Sequence, residues 1–173
     1  MNKRIVCLLL LALLLLSGCD EAEKEWATFT SEDGGFSILF PGKPEEQIES
    51  VSTAIGTIET EFFIVEQKDR AYSLNYADYP KEIIAASDAG SMLDGAGMGA
   101  VSNVNGELLD EKEITLDGYP GREIRIEVKG DDIIIHARFY LVENRLYVVQ
   151  AVSKSEASTP DIDKFLDSFQ LGP

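Results

Sequence analysis

From Trp26 onward, apolar and polar positions alternate with a period of two along most of the chain, the signature of half-buried strands. Trp26 to Thr30 reads as a first strand, and Gly35 to Phe40 as a clearer one, with Phe36, Ile38 and Phe40 on one face and Pro41-Gly42 ending it. Gln47 to Thr53 alternates weakly, because Ile48 and Val51 fall out of phase. Thr57 to Glu66 sets Ile58, Phe62 and Ile64 against Glu59 and Glu61, and Ala71 to Asp78 sets Tyr72, Leu74 and Tyr76 against Ser73 and Asn75 before Pro80 closes it. Strands return with Glu107 to Leu116, Arg122 to Val128, Ile133 to Val142 and Arg145 to Val152. Asp117-Gly118, Gly130-Asp131 and Glu143-Asn144 supply the turns between them.

The period changes twice. From Ser87 to Val104 the apolar residues Ala89, Met92, Leu93, Ala96, Ala100, Val101 and Val104 follow three-and-four spacing, which predicts an amphipathic helix capped by Ser87 or Asp88. Gly90, Gly95, Gly97 and Gly99 weaken that helix, so it needs tertiary packing, and its small face suggests close approach to a sheet. A closing helix starts at Thr159-Pro160, with Thr159 as cap, and carries Ile162, Phe165, Leu166 and Phe169 on one side. Strands, helix, strands, helix, joined by hairpin-length links, predict an α+β fold: an antiparallel sheet with helices packed on it. Residues 26–173 read as a single domain without internal repeats.

The first residues follow another pattern. Asn2, Lys3 and Arg4 precede an unbroken apolar run from Ile5 to Leu16, then Ser17, Gly18 and Cys19. A run of about a dozen apolar residues is too short to span a bilayer, which needs roughly 20. Charge, apolar core and small residues in this order describe a secretory signal over residues 1–18. Leu16-Ser17-Gly18-Cys19 resembles the lipobox of bacterial lipoproteins. That resemblance implies peptidase recognition of Leu16, Ser17 and Gly18, cleavage before Cys19, and a lipid on the Cys19 sulfur. Residues 19–25 form a short charged tether, so the domain is expected on a cell membrane, facing the periplasm or exterior. Asp20 favours the inner membrane if the cell is Gram-negative.

Cleavage leaves 155 residues (173 − 18) and removes Lys3 and Arg4 but no acid, so the formal charge moves from −16 to −18 (−16 − 2). A field of that sign repels nucleic acid and anionic headgroups, which makes the lipid the membrane attachment and sets nucleic acid aside as a partner. Cys7 leaves with the signal and Cys19 takes lipid, so thiol catalysis and zinc-thiolate sites are excluded from the domain.

Four stretches carry a family resemblance: Gly-Phe-Ser-Ile-Leu-Phe-Pro-Gly (Gly35 to Gly42), Leu-Asp-Gly-Tyr-Pro-Gly-Arg-Glu (Leu116 to Glu123), the hairpin Arg138 to Tyr147, and Asp-Lys-Phe-Leu-Asp-Ser-Phe (Asp163 to Phe169). Together they resemble bacterial PsbP-like proteins across roughly Trp26 to Leu171. The resemblance implies an α/β/α sandwich, the fold shared by the photosystem II subunit PsbP and a Ran-binding nuclear import factor. It also implies protein binding without enzymatic activity or cofactor. The motifs mark strand starts, a turn and a packing helix, and none carries chemistry. Plant PsbP docks through basic surfaces and an N-terminal extension; this chain is strongly acidic and is expected to replace any extension with a lipid and a short tether, so photosystem binding is not carried over.

The residues that merit a chemical reading are few. His136, the only histidine, shares a strand face with Ile134, Arg138 and Tyr140, and has neither a second histidine nor a cysteine to complete a metal site. Ser91 and Ser102 sit in a helical pattern without a nucleophile turn. Asp131-Asp132 lacks the spacing of a calcium loop and reads as a solvated turn. Arg122 and Arg138 interrupt apolar strands and read first as partners of buried carboxylates that set register, and otherwise as marks of a binding face. No catalytic residue, metal ligand or cofactor is assigned. The function expected is that of a membrane-anchored binding or assembly module with an envelope protein as partner. The alternatives are a small-ligand or cation binder, using a cleft between the Ser87–Val104 helix and the sheet, and, third, a hydrolase.

Overall fold

The computed structural model describes residues 25–53, 56–154 and 159–172. The signal segment, Leu16, Ser17, Gly18, Cys19 and Asp20 lie outside the described residues, as does the side chain of Thr159 and its expected capping role. The elements run β1 (Ala27–Ser31), β2 (Phe36–Phe40), β3 (Glu45–Thr53), β4 (Gly56–Glu66), β5 (Arg70–Asp78), α1 (Lys81–Ala86) and α2 (Ala89–Asn103). There follow β6 (Gly106–Leu116), β7 (Tyr119–Val128), β8 (Ile133–Val142), β9 (Arg145–Lys154), α3 (Thr159–Asp167) and β10 (Gln170–Leu171).

Seven strands form one antiparallel sheet in the order β3-β4-β5-β9-β8-β7-β6. It is two meanders, β3-β4-β5 and β6-β7-β8-β9, joined where β5 pairs β9 from Arg70↔Ser153 to Asp78↔Arg145. The α1–α2 segment carries the chain from the middle of the sheet to its far edge. Tight turns fix the register of the second meander. Leu116 faces Tyr119 across Asp117 (φ 50°) and Gly118 (φ 86°), the two left-handed residues of a type I′ turn. β7 therefore begins at Tyr119, and Tyr119-Pro120-Gly121 is strand rather than connection.

Each face of the sheet carries its own core. On one face α2 sets Leu93 against Ile124, Ile126, Ile135, Phe139 and Leu141, all buried. The α2 N-terminus is capped by Asp88, whose carboxylate accepts from the Ser91 amide at 2.9 Å. The opposite face is aromatic. Phe36, Phe40, Phe63, Tyr72, Tyr147 and Phe165 are buried there, with Phe165 5.2 Å from both Phe40 and Tyr72. Tilted and edge-on ring pairs of this kind add about 0.5–1.5 kcal/mol beyond area burial.

The layer over the aromatic face is mixed, with a three-stranded sheet, β1-β2-β10, beside α3. The alternation of Phe36, Ile38 and Phe40 is that of a strand, but it belongs to this covering layer and not to the main sheet. The two residues of β10 are too short to show periodicity, and they close the layer by pairing with Ser37 and Phe36. Ser168 ties α3 to it: its hydroxyl accepts from the Leu39 amide at 2.9 Å and donates to the Phe165 carbonyl at 2.7 Å.

Three expectations change. On β4, Phe63 and Val65 are the residues fully in the aromatic core, whereas Phe62 and Ile64 are half-buried. Each phase of β4 buries some of its residues, Ile58 and Thr60 in one and Phe63 and Val65 in the other, so alternation alone does not name the inner one. The helix α1 has no counterpart in the sequence reading, because six residues with none buried show no period. Gly95, Gly97 and Gly99 of α2 are not imposed by close packing. A Cβ on Gly95 or Gly99 would meet nothing within 4 Å, and one on Gly97 would sit 3.8 Å from Ile124, an ordinary contact.

Candidate functional site

The register lines up one residue from each strand on the aromatic face of the sheet. Ile48 (β3), Glu61 (β4), Tyr76 (β5) and Tyr147 (β9) are successive partners. The row continues through Tyr140 (β8), Gly121 (β7) and Ile114 (β6). Gly121 is where the row narrows: a Cβ there would lie 2.6 Å from the Phe139 carbonyl oxygen and 2.7 Å from the Tyr140 ring. From Tyr147 to Ile114 the row lies under the covering layer; towards Ile48 it emerges into solvent.

The emergent end forms an open cleft of about 680 Å³ between the β3–β4 hairpin and the turn that carries Asp33. Tyr76 forms the inner wall. Its hydroxyl donates to the Glu61 carboxylate, and the Arg145 guanidinium lies over its ring, 4.3 Å from the centroid. Arg145 is itself held by a fork of two 2.7 Å bonds to the Asp78 carboxylate and donates to the Asp33 carbonyl at 2.8 Å. The hydrogen bonds from Arg145 hold the Asp78 carboxyl below the usual carboxylate range, against a smaller opposing effect of burial. Burial, and then the acceptor Glu61, push the Tyr76 phenol well above its ordinary value. Across the cleft mouth Ile48 is 71% exposed. The acids Asp33, Glu59, Glu61 and Asp78 line it against the single cation Arg145, a balance of −3 (1 − 4).

None of these residues stands out as a site in the sequence, where alternation marks Tyr76 as an apolar strand position and Glu61 as a solvent-side acid. They come together because β4 and β5 pair Glu61 with Tyr76, and because β9, distant in sequence, brings Arg145 opposite Asp78.

The residues that were singled out are dispersed. His136 lies on the α3 side of β8, and the residues on either side of it, Ile135 and Ala137, belong to the α2 core. The sheet thus separates it from Ser91 and Ser102 on α2, and the grouping a serine hydrolase would need is not assembled. The Ser91 hydroxyl is 3.2 Å from its own cap, Asp88. Burial lowers the His136 pKa, and Arg125 beside it acts in the same direction. Asp131 and Asp132 lie exposed in a turn, and no group of three or more metal-ligating side chains occurs among the described residues. At the interface of α2 with the sheet, where the ligand-binding alternative would set its cleft, Leu93 packs against Ile124 and Phe139.

Arg122 and Arg138 are ion-pair partners, as their place in apolar strands suggests, but the acids they meet are not buried. Arg122 on β7 pairs with Asp94 on α2 and with Glu111 and Glu113 on β6. Arg138 on β8 reaches Asp167 on α3 at 2.8 Å and Glu123 on β7 at 2.5 Å. Arg70 on β5 adds a bond to Asp161 of α3 at 3.2 Å. Together with Arg145, which reaches the Asp33 turn, these four arginines of the main sheet fasten the layers that cover it.

The sequence matches no protein-family model and no curated protein. Its fold is similar to the solution structure of cyanobacterial PsbP (CyanoP) from Synechocystis sp. PCC 6803, with a TM-score of 0.55 and 14% identity over 91% of this chain and 99% of that one. The fold is PsbP-like, an α+β arrangement of antiparallel sheets and a few helices.

Proposed function

We propose that this chain is a non-catalytic docking module of the cell envelope, tethered to a membrane through lipid on Cys19 and working on a protein partner beside that membrane. The observation that carries the reading is the condition of the polar groups in the cleft. Tyr76 is engaged with Glu61, and Arg145 with Asp78 and the Asp33 carbonyl. These bonds fix aromatic and acidic groups in a preorganised, solvent-facing arrangement, which suits recognition of a partner's surface. The PsbP-like fold supports the reading, since the resemblance noted in the sequence is to proteins that bind other proteins. The lipobox-like Leu16-Ser17-Gly18-Cys19 supports the tether.

The test is fractionation of cells that express the full-length chain or its Cys19→Ser variant. The native chain is expected in the membrane fraction, carrying lipid by mass, and the variant is expected to lose the lipid. A native chain that is fully soluble and of unmodified mass would contradict the tether.

A further inference from the structure

The two edges of the main sheet differ. The β6 edge is broken by a bulge between Leu108 and Asp110, and its Lys112 is tied at 2.6 Å to Glu123 on β7. A bulge of this kind twists an edge away from further pairing. The β3 edge has no such interruption: Glu45 to Thr53 pair with β4 in unbroken register. Residues Glu45 to Ser50 are exposed, and at the centre Ile48 opens onto the cleft. An uninterrupted edge with an apolar centre is a template for another strand, and the charges on it decide which strand is admitted. Glu46 lies on the cleft face with Ile48 and Ser50, while Glu45 and Glu49 lie on the other face. A second copy of β3 would bring three more carboxylates to the same edge, a like-charge approach that disfavours self-pairing.

We infer that β3 is a docking edge for an extended, basic segment of a partner protein, which adds as an eighth strand and places a lysine or arginine over the acidic cleft beside Ile48. Backbone pairing supplies the attachment in this mode, and side-chain pockets supply selectivity. Strands lie about 4.8 Å apart, so an added strand stands roughly 10 Å from the Glu61 backbone, within the combined span of a long basic side chain and the Glu61 side chain. The aliphatic stem of that side chain would cover Ile48 while its charge meets Glu59 and Glu61, whose cleft carries the −3 balance (1 − 4). The inference rests on the docking reading above and names the surface and the chemistry of the partner.

The probe is a heptapeptide of alternating lysine and valine, titrated against the full-length lipidated chain in phosphatidylcholine nanodiscs, with empty nanodiscs as blank. A glutamate–valine peptide and the lysine–valine peptide N-methylated at every residue are the controls. The account expects saturable binding of the lysine–valine peptide alone, with slowed amide exchange in residues 45–50. It expects affinity to fall about threefold for Glu46→Lys, on the cleft face that the lysines occupy, the scale of an exposed ion pair, and to change little for Glu49→Lys, on the face that the valines occupy. Because these residues are exposed, both variants are expected to fold, which the unchanged circular dichroism of each would confirm. Equal binding of the N-methylated peptide, protection on β6 in place of β3, a dimer formed without peptide, or no saturable binding overturns the inference. A chain that stays on the membrane and crosslinks a partner through another surface, yet ignores the peptide, overturns the edge and leaves the docking reading standing.

Discussion

The hydroxyl of Tyr76 donates to the carboxylate of Glu61, its register partner across β4 and β5, at the point where the aromatic row of the main sheet emerges into solvent. The bond joins the core to the cleft, because the ring of Tyr76 packs 6.3 Å from Phe63 and 6.1 Å from Tyr147 while its polar end faces the cleft. Tyr76→Phe keeps the ring and removes the donor. It is expected to cost about 1.5 kcal/mol, the low end for a hydrogen bond to a charged group, because the site is partly exposed. Glu61→Gln retains an acceptor and is expected to cost less. Urea unfolding of the two variants checks the order.

Gly121 is required by packing and not by backbone angle. An added Cβ would stand 2.6 Å from the Phe139 carbonyl oxygen, and a backbone atom in a paired strand has little room to retreat. Gly121→Ala is therefore expected to destabilise by about 1–3 kcal/mol, the usual cost of overpacking. A thermal melt that moved by less than a degree would show that β7 and β8 can separate locally.

The glycines of α2 should behave in the opposite way. Nothing lies within 4 Å of a Cβ at Gly95 or Gly99, and neither has a positive φ. Gly95→Ala and Gly99→Ala are expected to stabilise the chain by about 0.5–1 kcal/mol each, through helix propensity and the entropy of the unfolded chain. A measured loss of stability at either position would point to a contact that the present packing does not contain.

His136 gives the fold a pH dependence that can be isolated, because there is no other histidine. Burial, and then Arg125, lower its pKa when folded, so the unfolded chain holds the proton more tightly. Stability then rises with pH wherever the unfolded form is protonated and the folded form is not. The contribution is complete above the unfolded value of about 6.5, and it is lost as the pH falls from there towards the lowered folded value. The slope of unfolding free energy between pH 7 and pH 5 should be smaller in His136→Gln, with the carboxylates common to both chains. An unchanged slope would place the imidazole in a freely solvated setting.

Much of this architecture is legible in the sequence, and the parts that are not have physical reasons. The alternation of Tyr72, Leu74 and Tyr76 names their buried face correctly, as does the closing-helix face of Ile162, Phe165 and Leu166. Phe62 and Phe63 cannot be assigned by alternation, since β4 holds an aromatic residue in each phase. The covering sheet depends on β10, whose two residues gain meaning only from their partners on β2. The cleft is non-local: Glu61, Tyr76 and Arg145 are strand residues of unremarkable type until β5 pairs with β9. The arginines announce themselves as charges within apolar strands, but their partners on α2 and α3 become evident only once the layers are stacked.

The most direct test of the account places a photo-crosslinking residue at position 48 of the full-length, membrane-attached chain, with position 98 on exposed α2 as comparison. The account predicts a discrete protein adduct from position 48 that is absent from position 98 and weakened by Glu46→Lys. An adduct from position 98 alone, or none from either position in the membrane-attached chain, would contradict a docking module that works through the β3 edge.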